Sequence, residues 1–310
     1  MFGFYRLSFG YLCPNGGCMT AASVPGPVGE DDEDEEELPD FHVDGVTDEE
    51  FEAETWTEED DAALKAQFCK LDGGTAAEIE PGIDVLIIMV EGKSLKRPPS
   101  NVIPPGDEDD VPITSFTKRL RRIFDTGKKV RIANGLYLKF QVVNYQGSNL
   151  PSVPEDIAQT IRSFRRKVPK GILIGAGHSM GGANLIAANR DFCANFDLLI
   201  TLDPESDSDI FDYRIYDDVE NLINYRANAA YGFVGAEDVE FDDGVNGVNR
   251  YVNVSHEWID NYVRTMVQQD IEFFLTHYRR TGTDPIKLAK DRTDQQIMKL
   301  VSQDKRSDLN

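Results

Sequence analysis

The residues best suited to catalysis lie in a short glycine-rich turn around Ser179. The sequence there reads Gly177-x-Ser179-x-Gly181, after an apolar run at 172–174 and before a stretch of helix-forming residues at 183–188. A serine raised at the apex of a strand-to-helix turn needs a strained backbone, and only small neighbours let the strand and the helix approach so closely. The pattern is typical of a nucleophile elbow, in which the serine hydroxyl attacks a carbonyl carbon. The alternative is an ordinary glycine-rich connection.

A serine nucleophile needs a neighbouring base, and the chain contains four histidines. His42 lies in an acidic N-terminal segment, and His178 precedes the serine at a sharp turn that points adjacent side chains apart. His277 comes late in a predicted helix, where cations are common. His256 follows an alternating, β-branched run at 251–254 and precedes apolar residues at helical spacing. We therefore predict that His256 is the base, with a helix cap as its alternative role.

The base needs a carboxylate that orients it and stabilises its charged form. An apolar strand predicted at 196–202 ends at Asp203, and Pro204 follows. The carboxyl ends of parallel strands form the ligand-binding edge of a sheet, so Asp203 is the predicted acid, with a turn cap as its alternative role. The order Ser179, Asp203, His256 agrees with the chain order expected after a nucleophile elbow. Competing carboxylates precede the last predicted strand: Asp238, Asp242 and Asp243.

Two backbone N–H groups are predicted to bind the negative oxygen of the reaction intermediate. Met180 would begin the helix after the elbow, where N–H groups lack acceptors within the helix and the dipole favours an anion. An almost wholly apolar run at 84–90 predicts a strand buried on both faces, and Gly92 follows it. Because glycine lets the backbone approach a ligand closely, we predict that Gly92, or the next residue Lys93, is the second donor.

Alternating strand and helix patterns place these residues in one sheet. A helix is predicted over 116–124, a strand over 138–143, a turn at 145–147 and a helix over 157–164. With the strand, elbow, helix and strand that follow, this succession predicts an α/β protein whose mostly parallel central sheet has helices on both faces. The proline-rich stretch 98–110 after the first strand is predicted to be an irregular loop.

In these motifs the chain resembles the α/β-hydrolase superfamily, and more narrowly its lipase and esterase branch. The resemblance rests on the hexapeptide 177–182 around the serine, on the Thr-Leu-Asp-Pro sequence 201–204, and on His256 ahead of a terminal helix. It covers roughly residues 80–280. A Leu-Asp-Pro directly after the strand that follows the elbow is similar to the acid position of certain lipases. The oxyanion loop lacks the His-Gly or His-Gly-Gly-Gly signature of many members.

The resemblance implies an α/β-hydrolase fold and a serine hydrolase of carboxylic esters or thioesters that forms an acyl-enzyme on Ser179, His256 and Asp203. It implies a small-molecule ester or lipid-like substrate, no cofactor and no metal ion. Two alternatives remain open. One is an acyltransferase that uses the same triad, and the other is a hydrolase-fold protein that binds a partner and catalyses little.

Acidic residues are concentrated at the N-terminal end of the chain. Residues 1–66 contain 19 acidic and 2 basic side chains, and they account for most of the net charge of −23. The run 30–37 consists of carboxylates that repel one another, which predicts a disordered acidic arm over 1–45. This acidity argues against nucleic acid and anionic membrane surfaces as partners.

Three further segments are predicted beyond the arm. Two helix starts and a few apolar residues predict short helices within 46–80 that dock on the main domain. The hydrolase domain is predicted over 81–280. A charged tail follows over 281–310, with one helix around 295–301.

The remaining sequence features bear on the cellular compartment. The four cysteines, Cys13, Cys18, Cys69 and Cys193, lack the two pairs typical of zinc sites and are interpreted as free thiols. The apolar start of the chain is a poor signal peptide, and no run approaches the ~18 apolar residues that span a bilayer. We therefore expect a cytoplasmic protein without a transmembrane segment, or alternatively one secreted without a recognisable signal peptide. The sequence does not determine the oligomeric state.

Overall fold

A mostly parallel β-sheet forms the centre of the structure, a computed structural model that describes residues 74–92, 102–103, 115–148, 152–205, 212–215, 219–227 and 239–307. The predicted acidic arm over 1–45 and both predicted helix starts lie outside these ranges. Strands β1–β8 are, in chain order, Val85–Glu91, Val102–Ile103, Lys129–Arg131, Tyr137–Gln146, Ile172–His178, Leu198–Leu202, Asn221–Ala227 and Asn246–Val252.

The order of the strands places the apolar ones at the middle of the sheet. The order is β2-β4-β1-β5-β6-β7-β8. Neighbouring strands from β4 to β8 pair in parallel, whereas β2 and β3 each pair antiparallel with β4. Every residue of β1 and β6 is buried, as expected for apolar strands that are covered on both faces. The predicted α/β architecture with a mostly parallel sheet is confirmed.

Helices cover both faces of this sheet. Helices α1–α7 are Ser115–Phe124, Ser152–Lys167, Met180–Phe192, Ile259–Tyr262, Arg264–His277, Lys287–Asp291 and Asp294–Ser307, and a 3₁₀ turn at His256–Trp258 precedes α4. Alternate residues of β1 point to opposite faces, so that Ile87 belongs to one hydrophobic cluster and Ile88 to the other. α1 and α4–α7 contribute to the Ile87 cluster, and α2 and α3 to the Ile88 cluster.

The segment 281–307, predicted as part of a charged tail, contributes to the main core. Ile286, Ala289, Ile297 and Val301 are buried in the same cluster as the apolar residues of α5. The helix predicted around 295–301 is present as α7 and is longer at both ends. Because Ile297 and Val301 lie four residues apart, they share one face of α7, and a segment rich in charge can still bury an apolar stripe.

Residues 74–80 form an irregular segment along α2. The N–H of Ala77 donates to Thr160 Oγ1 at 2.7 Å, and Ile79 is buried in the Ile88 cluster together with the apolar residues of α2. The rest of the predicted segment 46–80 lies outside the described residues, so its short helices stay a prediction.

Several elements differ from the sequence-based expectations. β4 continues through Gln146, where a turn was predicted, because Tyr145 pairs with Val90 of β1 and is fully buried. β2 lies within the stretch 98–110 that was predicted to be irregular. The helix expected after the predicted base is interrupted at Val263, which separates α4 from α5.

Strand β7 is missing from the sequence-based prediction because polar residues interrupt its apolar pattern. The Thr201 hydroxyl on β6 donates to Asn224 Oδ1 on β7 at 2.9 Å. Asn224 Nδ2 in turn donates to Asn249 Oδ1 on β8 at 2.8 Å. These hydrogen bonds satisfy polar groups within the sheet, which makes their burial tolerable. We call Thr201, Asn224 and Asn249 the polar ladder.

Cys193 corrects one expectation. It is the C-cap residue of α3, with a left-handed φ of 53°, and it is disulfide-bonded. The other three cysteines of the chain lie outside the described residues. The interpretation of Cys193 as a free thiol was therefore wrong, because a disulfide depends on the approach of two α-carbons that sequence spacing does not reveal.

Candidate active site

Ser179 lies in a strained turn between β5 and α3. Its backbone angles, φ of 54° and ψ of −126°, fall outside the regions that residues other than glycine normally adopt. A Cβ added to Gly177 would lie 2.7 Å from the carbonyl carbon of Gly181, and one added to Gly181 would overlap the carbonyl oxygen of Val90. The glycines are therefore needed for the close approach of strand and helix at this turn.

The structure brings the three predicted site residues together. His256 Nε2 lies 2.8 Å from Ser179 Oγ, and His256 Nδ1 lies 2.7 Å from Asp203 Oδ2. Because a carboxylate only accepts hydrogen bonds, Nδ1 carries the proton, and Nε2 accepts from the serine hydroxyl. Exposed fractions are 8% for Ser179, 6% for His256 and zero for Asp203. This arrangement can remove a proton from the serine and hold it on the imidazole.

Strand β7 fixes the position of Asp203. The N–H of Asp203 donates to the carbonyl oxygen of Tyr225 at 2.7 Å, and the N–H of Ala227 donates to Asp203 Oδ1 at 3.0 Å. Asp203 also has a positive φ of 47°, which turns its side chain at the end of β6. Of the competing carboxylates, Asp242 pairs with Arg214 at 2.6 Å and Asp243 is exposed, while Asp238 lies outside the described residues.

His178 supports the loop that carries His256, a role that sequence reasoning missed. Its Nε2–H donates to the backbone carbonyl oxygen of His256 at 2.9 Å, and its Nδ1 lies 3.7 Å from Asp260 Oδ2. Burial, and then the neighbouring His256, lower the pKa of His178 to about 4, so this imidazole is neutral at pH 7. His277 does not contact Ser179 or His256 in the described structure, and its Nδ1 is hydrogen-bonded to the carbonyl oxygen of Phe273 within α5. His42 lies outside the described residues.

The low pKa of His178 predicts a pH-dependent stability. Its pKa is about 4 in the folded protein against 6.5 ordinarily, so the unfolded chain binds more protons below pH 6.5. The free energy of unfolding should therefore fall as the pH drops from 6.5 to 4, by about 3 kcal/mol for this group. His178→Gln keeps an N–H donor for the carbonyl of His256 but does not titrate. Urea unfolding at pH 7, 5.5 and 4 should show a shallower pH slope for this variant than for the wild type.

A His277→Gln variant controls for the loss of a histidine as such. It should keep the wild-type slope, because His277 lies on α5 away from the two buried imidazoles. Equal slopes for the wild type and His178→Gln would contradict the prediction.

The two predicted oxyanion donors lie next to the serine. Met180 is the first residue of α3, where backbone N–H groups have no acceptor within the helix. A Cβ added to Gly92 would lie 3.5 Å from Ser179 Cβ, so the Gly92 backbone closely approaches the turn that carries Ser179. Gln146 Nε2 donates to the Gly92 carbonyl oxygen and restrains this backbone. The alternative donor Lys93 lies outside the described residues.

Glu205 is a further site residue that sequence reasoning missed. Its backbone N–H donates to the carbonyl oxygen of Ser179 at 3.1 Å. Its Oε2 lies 3.4 Å from Ser179 Oγ and 3.4 Å from His256 Nε2. The available signal was its position two residues after Asp203, at the same carboxyl edge of the sheet.

Within the described part of the chain, no three His, Cys, Asp or Glu side chains are grouped to bind a metal ion. Among the helices that the structure describes, none is long and apolar enough to cross a bilayer.

Known proteins resemble this chain in structure and not in sequence. A scan of protein-family models and a search of curated sequences find no match. Similar solved structures include an α/β serine hydrolase without a lid from Xanthomonas campestris, at 14% identity and a TM-score of 0.34, covering 68% of this chain and 89% of that one. An esterase domain from Rhodothermus marinus has 11% identity, a TM-score of 0.35, and coverage of 63% and 88%. A cutinase-like protein from Cryptococcus sp. has 13% identity, a TM-score of 0.33, and coverage of 59% and 90%.

The fold assignment rests on the topology of the chain itself. A mostly parallel sheet in the order β4-β1-β5-β6-β7-β8 lies between two helical layers. A strained serine turn joins β5 to α3, and an aspartate and a histidine follow β6 and β8 at the same sheet edge. The chain therefore has the α/β-hydrolase fold that its sequence predicts.

Proposed function

We propose that the protein is a serine hydrolase that cleaves carboxylic esters or thioesters through an acyl-enzyme. The observation that carries the proposal is the position of His256, which lies within hydrogen-bond distance of both Ser179 Oγ and Asp203 Oδ2. A base held by a carboxylate on one side and by a strained serine on the other is the arrangement that activates a serine hydroxyl.

In the first half of the reaction, Ser179 Oγ forms a bond to the acyl carbon while its proton passes to His256 Nε2. Asp203 holds the imidazole in the correct tautomer and stabilises the imidazolium. The backbone N–H groups of Met180 and Gly92 bind the oxygen that becomes negative. The tetrahedral intermediate collapses, the bond to the alcohol or thiol breaks, and the leaving group takes the proton from Nε2.

In the second half, water replaces the leaving group. His256 Nε2 takes a proton from the water, whose oxygen bonds to the acyl carbon and forms a second tetrahedral intermediate. Collapse then breaks the bond to Ser179 Oγ, which recovers its proton from the imidazolium, and the carboxylic acid departs. The substrates that fit this chemistry are small-molecule or lipid-like esters.

Covalent labelling with a fluorophosphonate probe tests the proposal. An activated serine displaces fluoride and keeps the phosphonyl group, so the wild type should be labelled at Ser179. Ser179→Ala should abolish the labelling, and His256→Ala should reduce it below detection. Ser302→Ala, on the outer face of α7, should label like the wild type.

The same experiment separates the proposal from its main competitor. A folded wild-type protein that resists the probe would favour a hydrolase-fold protein that binds a partner and catalyses little. Labelling at Ser179, followed by turnover of p-nitrophenyl esters of increasing chain length, would support the hydrolase and define the acyl pocket.

A further inference from the structure

Glu205 places a third carboxylate at the site, on the side where His256 meets Ser179. Asp203 already occupies the Nδ1 side of the imidazole, so Glu205 is not needed to hold the tautomer. Its Oε2 lies instead 3.4 Å from Nε2, the nitrogen that faces the serine hydroxyl. The hydrogen bond from the Glu205 backbone N–H to the Ser179 carbonyl oxygen fixes this segment of chain against the elbow.

The Glu205 carboxylate is more accessible than the other residues of the site. Its side chain is 28% exposed, whereas that of Asp203 is fully buried and that of His256 is 8% exposed. The Glu205 carboxylate therefore lies at the solvent-facing side of the site.

The leaving group must pass this carboxylate. In ester hydrolysis His256 Nε2 delivers its proton to the leaving oxygen or sulfur, so that atom comes within hydrogen-bond distance of Nε2. Because Glu205 Oε2 lies 3.4 Å from Nε2, substituents on the leaving group come to lie beside the carboxylate.

We infer that Glu205 determines specificity for the leaving group. It favours esters and thioesters whose leaving group carries a cationic centre close to the scissile bond, and it disfavours those whose leaving group is anionic. This inference rests on the proposed hydrolase function and names a substrate class for the same site. A partly exposed carboxylate beside the leaving group should raise kcat/KM for a cationic leaving group over that for a neutral one by about 10-fold.

The test uses two thioesters of the same acyl chain and nearly the same shape. Butyrylthiocholine carries a trimethylammonium group, and S-(3,3-dimethylbutyl) thiobutyrate carries a neutral tert-butyl group in its place. A single chromogenic thiol reagent detects both products. For the wild type, kcat/KM should be about 10-fold higher for the cationic substrate. In Glu205→Gln the ratio should fall to about one.

The ratio of the two substrates isolates the charge effect. Any general effect of Glu205→Gln on the serine hydroxyl acts equally on both thioesters and cancels in the ratio. Asp242→Asn removes a carboxylate from a surface ion pair with Arg214 and should leave the wild-type ratio unchanged. The wild type offers a second test that needs no variant. Raising the salt from about 10 mM to about 1 M should reduce its preference for the cationic thioester, because ions screen exposed charges.

The outcomes distinguish this inference from the proposed function. A wild type that hydrolyses both thioesters at equal kcat/KM, or a preference that survives in Glu205→Gln, would overturn the role of Glu205 and leave the hydrolase intact. A wild type that cleaves neither thioester and resists the fluorophosphonate probe would overturn the proposed function, and the role of Glu205 with it.

Discussion

Replacing Asp203 with asparagine should lower kcat for ester hydrolysis by about 10⁴-fold. The N–H of Ala227 donates to Oδ1, so this position must remain an acceptor in the variant. The amide nitrogen of the new side chain would then occupy the Oδ2 position and donate to His256 Nδ1. Nδ1 would have to accept, the imidazole proton would move to Nε2, and Nε2 could no longer take the proton of Ser179.

The measurement is kcat for a saturating p-nitrophenyl ester, with circular dichroism to establish that the variant is folded. Asp242→Asn is the matched control, because it makes the same chemical change in a carboxylate that contacts Arg214 and not His256. It should retain wild-type kcat. A large loss of kcat in Asp242→Asn together with an active Asp203→Asn would show that Asp242, and not Asp203, acts as the acid.

Replacing Asp270 with asparagine should destabilise the fold by about 3–5 kcal/mol. Arg292 Nη2 lies 2.7 Å from Asp270 Oδ1, Arg292 Nη1 donates to the Tyr225 hydroxyl at 2.6 Å, and that hydroxyl donates to Asp270 Oδ2. The two charged side chains are 4% and 1% exposed. Burial raises the pKa of the Asp270 carboxyl, and Arg292 opposes that shift. The neutral amide would leave the guanidinium buried without a balancing charge.

Urea unfolding at pH 7 measures this loss. Asp291→Asn serves as the control, because its ion pair with Lys287 on α6 is exposed to solvent and should contribute little. Tyr225 also connects this buried ion pair to Asp203, because its carbonyl oxygen accepts the backbone N–H of Asp203. Equal midpoints for Asp270→Asn and the wild type would show that the buried pair does not stabilise the fold.

The sequence predicts those site residues that are marked by patterns of neighbouring residues. The turn around Ser179 is recognisable as a candidate nucleophile elbow because the glycines, the apolar strand and the helix formers are contiguous. Asp203 and His256 are recognisable because each follows a predicted strand, and the carboxyl ends of parallel strands meet at one edge. The distances between these side chains follow only from the three-dimensional structure.

The roles of the missed residues depend on contacts between distant segments. The local sequence argues against His178 as the base, and its hydrogen bond to the His256 carbonyl oxygen links residues 78 positions apart. Glu205 is identified by the distances from its carboxylate to Ser179 Oγ and His256 Nε2, which the spacing of residues in the sequence does not reveal. Strand β7 escaped prediction because its asparagines resemble loop residues until partners on β6 and β8 are known.

The polar ladder also fixes the register of the strands that carry Asp203 and His256. Hydrophobic burial is not directional, so where both faces of a sheet are covered it discriminates less sharply between registers than paired hydrogen bonds do. Hydrogen bonds between Thr201, Asn224 and Asn249 form only when these residues are directly paired, as they are in the sheet. A slip of one residue would displace a strand end by about 3.3 Å, more than the tolerance of a catalytic hydrogen bond. Asp203 follows β6 and His256 follows β8, so a register held by three polar side chains within the sheet contributes to the 2.7 Å distance between this pair.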